Sequence, residues 1–302
     1  MSTQEKYLNP FTDFGFKKLF GSDVNKNLLI SFLNEVLPKE VKIQTLTYLK
    51  TEHIGHSELD RKVIYDLYCE NAEGEKFIVE LQKARQKHFK ERTIFYSTFP
   101  IQEQAKKGSD WEFNLKAVYT VSILNFLLDD NSLAAKNKKI NEKSPIKTTA
   151  MLMDIDSKEI FYDKLMYVHI QIPLFDKEEH ELETLEDKWF FVMRNLQSFK
   201  NRPAALQERI FDNLFKTAEI AKFNKKERRA YEDSLKYYRD LHNSLLFSRE
   251  EGREEGREEG EKRKAVEITK NLLSMGLPFD SISEATKLSL KKIKEIADSL
   301  EN

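Results

Sequence analysis

The segments Tyr65-Asp66-Leu67 and Ile78-Val79-Glu80-Leu81-Gln82 each place an acidic side chain within a run of apolar, β-forming residues. The runs 62–69 and 76–82 are predicted to be strands, and residues 71–74 between them have the chemistry of a hairpin loop. Because side chains alternate between the faces of a strand, Glu80 and Gln82 point to the same side. The hairpin then brings Asp66 close to Glu80, so the sequence predicts a carboxylate pair.

Two carboxylates this close repel each other unless a cation joins them, and Mg²⁺ suits one or two carboxylates together with waters and a phosphate oxygen. Gln82 beside them can orient water or contact phosphate, but it carries no positive charge. Acid pairs on exposed strands are common, so the spacing alone leaves a solvated surface open as an alternative. The apolar neighbours favour a metal site, because a buried charge costs several kcal/mol unless it is paired.

A basic stretch follows the second strand and is expected to hold a phosphodiester backbone. Residues 83–107 contain seven basic and two acidic residues. The basic residues are Lys83, Arg85, Lys87, Lys90, Arg92, Lys106 and Lys107. A solvated helix face is the alternative for this stretch. Arg92 and Tyr96, one helical turn apart, are equally suited to contact phosphate or to pack within the fold.

The remaining pattern alternates strands and helices, which is typical of an α/β body. Helices are predicted over residues 22–37 and 88–107, the second kinked or split at Pro100 and capped at Lys107-Gly108. Further strands are predicted over 41–50, 115–125 and 160–175, a loop over 129–148, and about three helices over 182–247.

Composition limits the class of protein. The 302 residues are 40% hydrophobic with 21 Phe, which excludes global disorder. Lys and Arg total 50 against 51 Asp and Glu, so a globally basic nucleic-acid coat is excluded. The single Cys69 excludes a disulfide framework or a cysteine-built zinc site within one chain. No run approaches the ~20 apolar residues of a membrane span, and no secretory signal is recognised, so we expect a cytoplasmic location and no membrane partner.

A short repeat of Arg, Glu, Glu and Gly occupies residues 249–264 and places Gly252, Gly256 and Gly260 along one helical stripe. A solvated, partly helical spacer is favoured, and a groove for a partner helix in a homo-oligomer is the alternative. Residues 265–302 are similar to a helical hairpin or helix-turn-helix, with Ser289 as a cap. Their slight excess of acidic residues favours protein contact or oligomerisation over DNA reading.

Several ordered motifs together resemble the recombination-promoting nuclease / putative transposase family, a branch of the PD-(D/E)XK nuclease superfamily. They are residues 13–21 (DFGFKKLFG), residues 31–34 (SFLN), Asp66 with Glu80-Leu81-Gln82, Arg92 and Tyr96, residues 172–175 (IPLF), residues 182–189 (LETLEDKW), Tyr231-Glu232, and Tyr238-Arg239-Asp240. The resemblance covers nearly the whole chain.

This resemblance implies a restriction-endonuclease-like mixed sheet flanked by helices, with a helical accessory region and a helical tail. The expected division is a nuclease domain over 1–180, an accessory region over 181–248, the spacer over 249–264 and the tail over 265–302. The implied activity is Mg²⁺-dependent (or Mn²⁺-dependent) endonucleolytic cleavage of DNA, connected with recombination or transposition. A catalytically inactive scaffold that binds DNA or protein is the alternative.

By the same resemblance, Asp66 and Glu80 bind the metal together with the Leu81 carbonyl, and Gln82 takes the place of the superfamily lysine as a catalytic residue. DNA contacts are expected from Lys83, Arg85, Lys87, Arg92 and Tyr96. Glu35 is the candidate for an additional acid on the first helix. Gln171 and Leu174 differ from the Glu and Lys often found in the family, which places this change in an accessory region away from the metal.

Overall fold

A six-stranded mixed sheet organises the first part of the chain. The computed structural model describes residues 5–53, 63–105, 112–128 and 145–300. The sheet order is β1-β4-β5-β6-β8-β7, with β5, β6 and β8 parallel and the other pairs antiparallel. The strands are β1 (Thr47–Tyr48), β4 (Leu67–Glu70), β5 (Lys76–Gln82), β6 (Val118–Leu124), β7 (Lys147–Met153) and β8 (Ile160–Gln171), with β2 (Glu52–His53) and β3 (Val63–Ile64) forming a separate pair.

Helices cover both faces of this sheet. One face carries α1 (Asp13–Phe20), α2 (Lys26–Val36), α4 (Leu185–Asn195) and α5 (Arg209–Ala218), and the other carries α3 (Phe89–Glu103). The chain continues with α6 (Lys225–Ser274), α7 (Phe279–Thr286) and α8 (Leu290–Asp298). Contacts divide the chain into two units, Met1–Arg239 and Asp240–Asn302. Among the residues described, no helix has the length and apolarity needed to cross a membrane.

Strand β5 is buried on both faces, as expected for a central strand beside a parallel neighbour. Phe77, Val79 and Leu81 join the main core with α1, α2, α4 and α5. Ile78 points the other way, into a smaller core beneath α3 that contains Tyr65. Because side chains alternate, Glu80 and Gln82 belong to the α3 face.

Several element predictions are confirmed, including the hairpin of β4 and β5 and the helices after residue 182. The single strand predicted over 62–69 is wrong, because Val63–Ile64 pairs with β2 and β4 begins only at Leu67. The strand predicted over 160–175 ends at Gln171, where a 3-10 turn over Ile172–Leu174 follows. The strand predicted over 41–50 is wrong except at Thr47–Tyr48. The Asn34 side chain binds the N–H and C=O of Ile43 at 2.8 and 2.9 Å, so these groups are not available to a neighbouring strand. The loop predicted over 129–148 is contradicted at its end, where Lys147 begins β7, and residues 129–144 lie outside the described residues.

The split predicted at Pro100 does not occur, because α3 continues through it. The alternative, a kink at this position, stays a prediction. Proline lacks the N–H that would bind the carbonyl four residues earlier, which belongs to Tyr96. The Tyr65 hydroxyl donates to that carbonyl at 2.9 Å, so the acceptor freed by Pro100 is satisfied. The cap predicted at Lys107-Gly108 lies outside the described residues.

The glycine repeat lies within α6 and is helical throughout, rather than partly helical. Every residue of 249–264 is exposed, and ion pairs such as Glu254–Arg257 at 2.5 Å and Arg257–Glu261 at 2.7 Å run along the surface. A Cβ atom added at Gly252, Gly256 or Gly260 would meet nothing within 4 Å among the described residues. Packing among the residues that the structure describes therefore does not require these glycines.

Replacing Gly252, Gly256 and Gly260 together with alanine is expected to raise the melting midpoint of the helical signal in circular dichroism. Alanine in an exposed helix interior is more stable than glycine by about 1 kcal/mol per position. The mass in analytical ultracentrifugation should not change if the repeat is a spacer. A lower midpoint would contradict this interpretation, and loss of an oligomer would favour the groove between copies.

The second unit ends in a helical hairpin, as predicted for the tail. Gly276, with φ of 74°, allows the turn that follows α6, and the Ser289 hydroxyl caps α8 by accepting from the Lys292 N–H. Ile282 and Ile293 are fully buried between the helices. The boundary between the two units falls inside α6, and the four-part division stays a prediction.

Candidate active site

Asp66 and Glu80 lie next to each other at the end of the β4–β5 hairpin. Leu67 pairs with Val79 in the antiparallel register, so the next position places Asp66 opposite Glu80. The Asp66 N–H donates to Glu80 Oε1 at 3.3 Å, and the Leu81 N–H donates to Asp66 Oδ2 at 2.7 Å. Each carboxylate is thus held by a backbone amide of the opposite chain segment.

The pKa values of both Asp66 and Glu80 are raised, because the positive charge near them does not offset their burial. Burial and the charge of Asp66 raise the pKa of Glu80 to about 8, while Arg92, the Asp66 N–H and Gln82 act in the opposite direction. Burial also raises the pKa of Asp66, against the hydrogen bond from the Leu81 N–H. Both carboxyl groups therefore resist ionisation until a cation approaches them.

The donor set fits a hard divalent cation. Two carboxylates converge, and in the described parts of the chain neither forms an ion pair. The Leu81 carbonyl points to the same side of β5 as its N–H, towards Asp66. Within those same parts, no group of three or more acidic, histidine or cysteine side chains is placed to hold a metal. The site thus offers few protein ligands, as is usual for Mg²⁺, which keeps several waters.

Gln82 is buried next to Glu80 and holds it in place. Its Nε2 donates to Glu80 Oε2 at 3.1 Å, while the Glu80 Oε1 atom accepts from Asp66. Both oxygens of Glu80 are therefore oriented by donors. In this arrangement, Gln82 acts first as a positioning residue for the carboxylate.

Among the acidic residues of α1 and α2, Asp13 rather than Glu35 acts electrostatically on the Asp66–Glu80 pair. The charge of Asp13 raises the pKa of Asp66, whereas the charges felt by Glu35 are those of Glu186, Lys147 and Lys39. Asp13 stands at the start of α1, exposed and ion-paired with Lys17 at 3.1 Å. Sequence reasoning missed it because only the packing of α1 against the sheet brings it near.

The Lys83 ammonium lies in the same environment. Burial lowers the pKa of Lys83, and the negative charges of Asp13 and Asp66 oppose that shift. The ammonium also sits 5.7 Å from the centre of the Tyr237 ring, on α6. A half-buried cation therefore borders the carboxylates one position after Gln82.

The other predicted DNA-binding residues divide into two groups. Arg85 and Lys87 are exposed in the loop before α3, on the surface of the chain. Arg92 and Tyr96 lie on α3, with the guanidinium 5.3 Å from the ring centre, and the Tyr96 ring packs edge-on against Tyr65 at 5.7 Å. The pair thus makes contacts within the fold, and Arg92 also acts electrostatically on Glu80.

The sheet face that carries Glu80 continues as a polar row across two more strands. Ser122 pairs with Glu80, and His169 pairs with Ser122. Gln171 is in the next row, with Leu124 between it and Gln82. Gln171 therefore belongs to the central sheet and not to an accessory region, on the same face as Gln82 but two strands from it. The expectation that its change lies away from the metal stays a prediction.

The sheet, its helical layers and the carboxylate pair define a restriction-endonuclease-like α/β protein. The family model described as PD-(D/E)XK nuclease family transposase matches residues 10–247, and the chain belongs to this family. Searches of curated proteins and of solved structures found no significant match. The family membership and the fold predicted from the sequence are thereby confirmed.

Proposed function

We propose that this chain is an endonuclease that cuts DNA phosphodiester bonds with the help of Mg²⁺ or Mn²⁺, in recombination or transposition. The observation that carries the proposal is the convergence of the Asp66 and Glu80 carboxylates, both buried enough to disfavour ionisation in the absence of a cation. Family membership supports a nuclease-type activity. A cytoplasmic location stays a prediction.

In the proposed site, Asp66, Glu80 and the Leu81 carbonyl hold the ion. A divalent ion bound there polarises the phosphate and lowers the pKa of a bound water. The hydrogen bonds from the Asp66 N–H and from Gln82 fix the direction of the Glu80 carboxylate. Beside a bound ion, Gln82 would additionally position water or phosphate.

The missing superfamily lysine leaves a need for positive charge, and two side chains of this chain are placed to supply it. Lys83 lies near Asp66, and Arg92 lies near Glu80. Both therefore border the position of the scissile phosphate in this proposal. Arg85, Lys87 and Tyr96 extend the contact along the DNA, where phosphate contacts position the duplex without reading its sequence.

The proposal is tested by incubating the purified full chain with supercoiled plasmid in Mg²⁺, in Mn²⁺ and in EDTA. Nicked product is expected with either ion and none with EDTA. A preparation that produces no nicks with either ion, at any protein concentration that binds the plasmid, would contradict the proposal.

A second candidate function is a catalytically inactive scaffold that binds DNA or protein. Gln82 favours it, because this side chain adds no charge to stabilise the transition state. DNA binding that weakens with salt, without cleavage in either ion, would support the scaffold. Assembly without salt-dependent DNA affinity would instead indicate a structural oligomer.

A further inference from the structure

A cavity of about 460 Å³ opens on the face of the sheet that carries Glu80. It lies beside α3, on the side of this helix away from the Asp66 and Glu80 carboxylates. Its walls include Ile94 of α3 and Ala150 and Leu152 of β7, and its floor includes Tyr167 and His169 of β8. Lys90, in the first turn of α3, also lines it. The cavity thus combines apolar walls, a polar floor and one cation, which is typical of a small-ligand site.

His169 is a nearly buried side chain of this cavity with one unpartnered ring nitrogen. It is 8% exposed, and its Nδ1 atom has no hydrogen-bond partner within the part of the chain that the structure describes. By contrast, the Tyr167 hydroxyl is bound to Ser97 at 2.7 Å. Burial and the nearby Lys90 lower the pKa of His169 to about 4, so the neutral ring offers one donor and one acceptor.

The cavity lies close to the carboxylates. His169 occupies the same row of the sheet as Glu80, with Ser122 of β6 between them. Two strand spacings amount to about 10 Å. The first turns of α3 separate the two places, with Arg92 acting on Glu80 and Lys90 lining the cavity. A DNA strand crossing the start of α3 would therefore meet one cation on each side.

We propose that this cavity receives a single unpaired base of the DNA strand being cut, with the base edge on His169 and the adjoining phosphate near Lys90. The inference rests on the proposed nuclease function and adds a substrate preference to it. The volume is that of a ligand pocket and excludes a duplex, whereas a base turned out of the stack is read by hydrogen bonds and by packing against apolar side chains. The preferred substrates are then bulged, mismatched or single-stranded DNA.

The test compares two DNA duplexes that differ only in one unpaired 2-aminopurine, whose fluorescence reports its removal from the stack. Binding is measured with the full chain carrying Asp66→Asn, so that the DNA stays intact. We expect at least about tenfold tighter binding of the bulged duplex, accompanied by a change in fluorescence.

Ala150→Phe added to this chain fills the cavity from an exposed position of the edge strand β7, and it should abolish both the preference and the fluorescence change. Thr149→Phe is the matched control, because it adds the same ring to the next residue of β7, whose side chain points to the opposite face of the sheet. The control should retain the preference. His169→Phe should weaken the preference while keeping the ring that packs on Phe89.

Equal binding of the two duplexes by the Asp66→Asn chain would overturn the inference, as would a preference that survives Ala150→Phe. Either result is compatible with nicking of plasmid by the wild-type chain, so the proposed nuclease function would stand. Absence of both nicking and DNA binding would overturn the two proposals together. Binding of free dAMP that Ala150→Phe abolishes, with no preference among the duplexes, would assign the cavity to a free nucleotide and also overturn the inference.

Discussion

Asp66→Asn and Glu80→Gln are each expected to reduce the rate of Mg²⁺-dependent nicking by about a thousandfold or more. Each substitution keeps the shape of the side chain and removes a negative ligand. The loss follows from the several kcal/mol of transition-state charge stabilisation that a bound ion supplies, since each 1.36 kcal/mol is worth a factor of about ten. The measurement is the initial rate of conversion of supercoiled plasmid to the nicked form.

Glu70→Gln is the matched control for this experiment. Glu70 is on the same hairpin, at the far end of β4, and forms an ion pair with Lys76 at 3.1 Å. Its loss should leave the nicking rate within about twofold of wild type, because a partly exposed ion pair contributes little. Equal nicking by wild type and both site variants would indicate a contaminating nuclease and would contradict the role of the pair.

Without divalent ions, Glu80→Gln is expected to stabilise the protein at alkaline pH. In the wild type, burial and Asp66 raise the pKa of Glu80 to about 8 from an ordinary value of 4.5. The folded chain then keeps a proton that the unfolded chain has released. The free energy of unfolding therefore falls as the pH rises from about 4.5 to about 8, by an amount on the order of 5 kcal/mol.

Thermal unfolding in EDTA at pH 5 and at pH 9 measures this effect. The variant and the wild type should melt at similar temperatures at pH 5, and the variant should melt several degrees higher at pH 9. Excess Mn²⁺ should restore stability to the wild type at pH 9 and much less to the variant, because a ligand that binds only the folded state stabilises it. A wild type whose stability in EDTA does not fall relative to the variant would show that Glu80 ionises without penalty.

The sequence was sufficient to locate the carboxylate pair because the relevant information is local. Alternation along β5 and a short hairpin loop determine which side chains share a face and which residue lies opposite. The same reasoning identified β6, β8 and the cap at Ser289. The strand over 41–50 failed because a distant amide, Asn34, binds the backbone of Ile43.

Other parts of the site could not be read from the sequence because they depend on tertiary packing. Asp13 looks like an ordinary residue of a helix start, and only the placement of α1 brings its charge near Asp66. Gln171 is distant from Gln82 in sequence, and the parallel pairing of β8 with β6 places them on one face. The continuity of α3 through Pro100 likewise depends on the Tyr65 hydroxyl, which comes from another element.

The binding of one cation by both carboxylates is tested most directly by a crystal of the wild-type chain soaked in Mn²⁺ and measured at the manganese absorption edge. We expect an anomalous peak with oxygens of Asp66 and Glu80 both at ligand distance, and no such peak in an Asp66→Asn crystal treated in the same way. Full soaking with no peak between these side chains, or a peak that the substitution leaves in place, would contradict the account.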